Sequence, residues 1–159
     1  MYPQDKAAMT TAEDIKNILK EQIEGYRRLL GILQQEREQL VQFNPAAVEV
    51  LSKEKDTLTL RLRLLDEERK RLLEIFSREH GAAHDLNLRQ LAEITKDDSL
   101  LSLRLQMVSL VQGIAELNEF NRILIERSTI VVRNALSFLE LLGVKVHISG
   151  SGSVLSREA

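Results

Sequence analysis

Residues 44–81 read NPAAVEVLSKEKDTLTLRLRLLDEERKRLLEIFSREHG, and both the fold class and the topology turn on this stretch. Val48, Leu51, Lys55, Leu58, Leu62, Leu65, Arg69, Leu72 and Phe76 recur at strict three- and four-residue spacing. That is the seam of a helix, not the alternation of a strand. Lys55 and Arg69 interrupt it, with aliphatic stems able to lie along a groove while their charged heads reach water. Asn44-Pro45 marks the start: proline suits the first turn of a helix, asparagine caps it, and the residue before proline is pushed out of the helical region. Gly81 marks the end as a left-handed cap. The spacing therefore predicts a helix of roughly 50 Å from Pro45 to Glu79 at 1.5 Å per residue.

Upstream, Ile15, Leu19, Ile23, Tyr26, Leu30, Leu33 and Leu40, widened by Ile18, Leu29 and Val41, trace a second long helix that stops at Phe43. Thr11, three residues before Asp14, reads as its N-cap. The connection at 43–45 is so short that the two helices must be antiparallel neighbours. Downstream, Leu88, Leu91 and Ile94 suggest a short helix over 87–95. A last helix then runs from about Asp98 to Leu142, with Asp97, Asp98 and Ser99 at its positive end and Gly143 beyond it. Its seam is Leu103, Met107, Leu110, Ile114, Leu117, Asn121, Leu124, Ser128, Val131, Ala135, Phe138 and Leu142, polar only at Asn121 and Ser128. The expected fold is all-α: an elongated antiparallel bundle of three long helices plus one short helix, with coiled-coil-like packing. Residues 1–11 are expected to be a disordered leader, 12–143 the bundle, and 144–159 a flexible tail.

Composition excludes much. The 159 residues are 43% hydrophobic and 29% charged, and two prolines and seven glycines are too few for a sandwich, a barrel or a loop-rich enzyme. Absence of cysteine removes disulfides, thiolate metal sites and cysteine nucleophiles, and suits a reducing compartment. A net charge of -2 gives no general attraction to nucleic acid, and the basic run at Arg61, Arg63, Arg69, Lys70 and Arg71 is offset by Asp66, Glu67, Glu68 and Glu74. No run of 18 apolar residues offers a membrane span, and the polar start is no signal peptide. These readings together point to the cytoplasm.

Catalytic and metal-ligating patterns do not assemble. His80 and His84 have a zinc-compatible spacing, but Gly81 breaks the helix between them and no third ligand is placed. Carboxylates such as Glu36, Glu38, Glu67 and Glu74 lie beside basic residues at helical spacing, as on a solvated face. There is no phosphate loop and no nucleophile elbow. No enzyme and no cofactor is expected. The informative surplus is apolar: Leu100, Val108, Val111, Ile125, Val132, Leu136, Leu139 and Leu141 stand beside the last helix's seam, and Val144, Val146 and Ile148 alternate beyond it. Either the short helix covers this surplus, or it is a face on which an amphipathic helix docks.

The stretch Leu117-Asn118-Glu119-Phe120-Asn121-Arg122-Ile123-Leu124-Ile125-Glu126-Arg127-Ser128, continuing to Phe138-Leu139, resembles the signature region of the FlgN family of flagellar type III export chaperones. The helix 29–40 (LLGILQQEREQL), the Leu51-Ser52-Lys53-Glu54-Lys55 segment and the 87–92 element (NLRQLA) agree with it in order. The resemblance implies a cytoplasmic chaperone that binds the terminal helices of hook-associated junction proteins, prevents their premature assembly and delivers them to the export gate. Leu117, Asn118, Asn121, Leu124 and Ile125 match the motif. The expected binding face continues through Ser128, Val131, Val132, Ala135, Leu136, Leu139 and Leu142. Where family members often carry a Tyr-Gly segment tied to docking on the export apparatus, this chain has Val146-His147-Ile148-Ser149-Gly150. The alternative reading from the residues is a structural coiled-coil adaptor that self-associates into a homo-oligomer through its long helices.

Overall fold

A computed structural model describes residues 3–81 and 86–143, with side chains from Thr10 onward. Helices α1 (Pro3–Val41), α2 (Pro45–His80), α3 (Leu88–Thr95) and α4 (Ser99–Leu141) make up the all-α bundle, three long and one short. The signals at both ends of α2 act as expected, and α3 has caps that the sequence reading did not name. Asn44 accepts the Ala47 N–H at 3.3 Å with Pro45 in the first turn, and Gly81 closes α2 at φ 58°. Asn87 and Gln90 form a reciprocal capping box, and Lys96 ends α3 in the left-handed region. Two starts differ from expectation. Helix α1 already runs from Pro3, because nothing between that proline and Thr11 opposes helix formation and proline is suited to a first turn. Thr11 is no cap; its hydroxyl donates to Glu79 at 3.4 Å. At α4 the capping oxygen belongs to Asp97, which accepts the Ser99 N–H at 3.0 Å, while Asp98 caps nothing. His84 and the 144–159 tail lie outside the described residues.

All nine seam positions of α2 are buried or half-buried. They pack on α1, which runs antiparallel to α2 and comes close at Gly25: a Cβ there would stand 2.7 Å from the Leu62 side chain. Helix α4 lies on another side of α1, pointing the same way. Leu100 joins Ile15 and Leu19 near its start, and Ile114 and Leu117 pack on Leu29 and Leu33 further along. Helix α1 is therefore the centre of the bundle. Among the described residues no Cα of α2 comes within 8 Å of one in α4.

One end of the bundle is closed. Leu88, Leu91 and Ala92 of α3, with Leu86, bury themselves against Ile15, Leu19, Leu72, Leu73, Phe76 and Leu100. The other end is the α1–α2 corner, and α4 passes it. Its seam is at least half-buried from Leu103 to Ser128, then exposed at Val131, Ala135, Phe138 and Leu142. Asn121 stands opposite Glu36, five residues before the end of α1. The turns of α4 after residue 126 therefore project past the corner by roughly 20 Å at 1.5 Å per residue. Helix α3 covers only the first turns of α4: of the apolar surplus it helps bury Leu100, while Val108, Val111, Ile125, Val132 and Leu141 stay exposed.

Candidate functional site

Of the four polar interruptions in the two seams, Lys55 of α2 and Asn121 of α4 converge on one carboxylate of α1, Glu36. Asn121 of α4 is 1% exposed, and its Nδ2 donates to Leu33 O at 2.9 Å and to Glu36 Oε2 at 2.8 Å. The other Glu36 oxygen receives Lys55 Nζ at 2.5 Å. Glu36 is only 2% exposed, so it does not belong to the solvated face on which its basic neighbours suggested it would lie. A buried carboxylate is tolerable because a cation and an amide both reach it. Burial also leaves Asn121 Oδ1 without a partner. The pairing ties all three long helices together at one level, and it demands a single axial register of α4 on α1.

Immediately beyond this tie lies a groove of about 810 Å³. One wall is α4: Ile125, Ser128, Thr129, Val132, Arg133 and Leu136. The other is the corner: Gln39, Leu40, Phe43, Asn44, Pro45, Val48, Glu49 and Ser52. Phe43 holds a left-handed backbone, φ 53°, which is unfavourable for a bulky residue, and the residue is still 67% exposed. The exposed lining is mostly apolar, and Arg133 and Glu49 are its charged residues. Van der Waals contact and hydrophobic burial are the main interactions it offers a ligand.

The twelve expected face residues divide by position. Ile125, Ser128, Val132 and Leu136 line the groove. Leu117 packs inside the bundle on the Leu29–Leu33 cluster, and Asn121 is occupied by Glu36. Leu124 and Leu139 are half-buried, and Asn118, Val131, Ala135 and Leu142 are exposed. The sequence reading missed the corner wall. An aromatic residue ahead of Asn-Pro was its available signal, but only the path of α4 makes it a wall. Among the described residues no group of three or more His, Asp or Glu could hold a metal. His80 instead stacks on Phe76 with ring centroids 3.8 Å apart.

One expectation about membranes changes. An 18-residue window of α4 is apolar enough to cross a bilayer by length and composition. The reading from unbroken apolar runs passed over it because mean hydropathy tolerates interspersed Ser, Gln and Gly. The first half of that same helix is packed on α1.

A family model described as FlgN protein matches residues 9–141. No curated protein and no solved structure matches.

Proposed function

The chain belongs to the FlgN family, whose members are flagellar export chaperones, and from that premise we propose that it holds the terminal helices of hook-associated junction proteins in the groove between the α1–α2 corner and the second half of α4. In this reading it works in the cytoplasm, prevents premature assembly of its clients and delivers them to the export gate. The observation that carries the reading is the open apolar groove beside a helix that overruns its own bundle. Unassembled coiled-coil termini expose apolar seams that aggregate. A groove with Leu40, Phe43, Val48, Val132 and Leu136 on its walls offers such a seam the missing neighbours. Each anchored leucine contributes about 1.5–3 kcal/mol on full burial, against about 2–5 kcal/mol for ordering the client segment. Several anchors are therefore needed to outweigh that cost and the loss of free tumbling, and the modest surplus that remains suits a carrier that must release its load.

The test is calorimetric titration of the protein with peptides spanning the terminal helices of junction proteins. Val132→Asp and Ile125→Asp, both at exposed positions that leave the bundle core untouched, should each weaken binding at least about tenfold. Leu124→Asp, at a half-buried position outside the groove lining, should weaken it less. Unchanged affinity in Val132→Asp would remove the groove from the binding site. The self-associating adaptor makes a different demand: sedimentation would then show a tight dimer that loses its contacts on Phe138→Asp.

A further inference from the structure

Arg69, the other polar interruption of the α2 seam, belongs to a second polar level of the bundle. Gln22 stands 14 residues before Glu36 on α1, and Arg69 stands 14 residues after Lys55 on α2. The two helices run antiparallel and fourteen residues are two heptads, so the packing that sets Lys55 against Glu36 sets Arg69 opposite Gln22. The same alignment holds further along, where Thr11 meets Glu79. Tyr26, one turn from Gln22, agrees with it. Its hydroxyl pKa is pushed up by burial and by the charge of Asp66 and drawn down by Arg69, so both α2 residues are within electrostatic reach of it. At the Glu36 level α4 supplies Asn121. Fourteen residues earlier it supplies Met107, packed on the cluster around Leu19 and Leu72, and a thioether has no proton to donate.

Gln22 is 0% exposed, and neither its amide oxygen nor its amide nitrogen has a hydrogen-bond partner among the described residues. Arg69 gives a terminal nitrogen to Asp66, while its buried Nε–H finds no acceptor there. A buried amide in that condition bears the full cost of desolvation, which native interiors avoid. We propose that the Gln22 amide and the Arg69 Nε–H bind internal water, enclosed between α1 and α2 under Met107. Asp66 already balances the guanidinium and also holds Lys70 at 2.7 Å, so the site calls for a neutral ligand and not an ion. Water accepts from Arg69 Nε–H and Gln22 Nε2 and donates to Gln22 Oε1. Those three bonds are the usual complement of a buried water. The register of α2 on α1 is then marked twice, by an ion pair at one level and by a water bridge two heptads away. This inference does not depend on the groove or on what the groove binds.

Water-selected NOE and ROE spectra of the isotope-labelled full-length protein test this directly. The expected result is a pair of cross-peaks from water, one to the Gln22 side-chain amide protons and one to Arg69 Nε–H, each of opposite sign in the two experiments. Opposite signs identify a dipolar contact with water that stays bound; proton exchange and fleeting surface water give the same sign in both. Gln22→Met keeps the length of the side chain and removes the amide, so it should abolish the bound-water contact at Arg69 Nε–H while the backbone amide spectrum stays that of the parent. A Gln22 amide without a water cross-peak in the parent would overturn the proposal, because the group would then be dry or bonded directly to Arg69. Cross-peaks of the same sign in both experiments would overturn it too, since the water would not be held. So would a bound-water contact at Arg69 that survives in Gln22→Met, because that water would belong to the solvent edge of the guanidinium. The parent spectra decide the first two outcomes without any variant having to fold.

Discussion

The two ends of this bundle are made of the same kinds of side chain and behave oppositely. At the closed end Ile15, Leu19, Phe76, Leu91 and Leu100 are all 1% exposed or less. At the open end Phe43, Val132, Phe138 and Leu141 are at least half-exposed, Leu141 at 85%. Hydrophobicity does not separate the two sets. The difference is an eight-residue helix, α3, held in place by its Asn87–Gln90 box, which supplies at one end the layer that nothing in the described chain supplies at the other. Stability and availability are thus assigned to opposite ends of the same long helices. The sharpest way to break this contrast is a pair of phenylalanine truncations. Phe76→Ala should cost about 3–5 kcal/mol, lowering Tm by roughly 10 °C in a chain of this size. Phe138→Ala should stay within about 0.5 kcal/mol. Urea unfolding of both variants decides the matter, and equal losses would mean that the open end is buried in solution.

Between the two ends stands the Lys55–Glu36–Asn121 tie, and it supports a counterintuitive second expectation. By its seam position Lys55→Met completes the apolar stripe of α2, and on heptad grounds alone it should stabilise. With Glu36 2% exposed and relying on that ammonium, the substitution should instead cost about 3 kcal/mol, the low end for breaking a buried pair because Lys55 itself reaches solvent. Replacing the set together, Glu36→Leu with Lys55→Met and Asn121→Leu, should recover most of the loss. The same triple variant should also loosen the register of α4, seen as faster amide exchange from Ile114 to Ile125. A Lys55→Met protein as stable as the parent would show that the carboxylate is satisfied some other way.

What could be read from the sequence was whatever depends on neighbours along the chain. Asn44-Pro45 and Gly81 act through atoms a few residues away, so the breaks at either end of α2, the helix count and the all-α fold were legible; the Asn87–Gln90 box is just as local but was not read. Lys55 and Asn121 stood out as polar residues on apolar seams, but their convergence on Glu36 is a fact of packing, and Arg37 and Glu38 beside Glu36 made it look like surface. Only part of one wall of the candidate site was legible, for a similar reason. Ile125, Ser128, Val132 and Leu136 belong to one helical stripe, whereas Leu40, Phe43, Pro45 and Val48 become a wall only because α4 overshoots the corner. Local ion pairs also chose between equivalent registers: Arg71 pairs with Glu68 at 2.6 Å, not with Glu67, which approaches Arg63 at 3.4 Å.

The smallest expected effect concerns how the closed end is fastened. Lys16 of α1 meets Asp97, in the link between α3 and α4, at 2.8 Å. The hydrogen bond from Lys16, helped by bonds from Ser99, holds the Asp97 carboxyl down to about 2 from its ordinary value of 3.8. A carboxyl whose pKa is lower folded than unfolded contributes stability above its unfolded value, and that contribution is lost as pH falls from about 4 towards about 2. Because the pair is partly open to solvent, about 1 kcal/mol or less is at stake. Many carboxylates titrate across the same window, so the informative quantity is the difference between the parent and Asp97→Asn. The variant should melt slightly lower at pH 7 and converge with the parent near pH 2, while its affinity for groove ligands at neutral pH stays unchanged, since Asp97 lies at the far end of α4. A Tm difference that is flat with pH would mean that the Lys16–Asp97 contact does not hold the α3–α4 link to α1, leaving the closed end dependent on its apolar cluster alone.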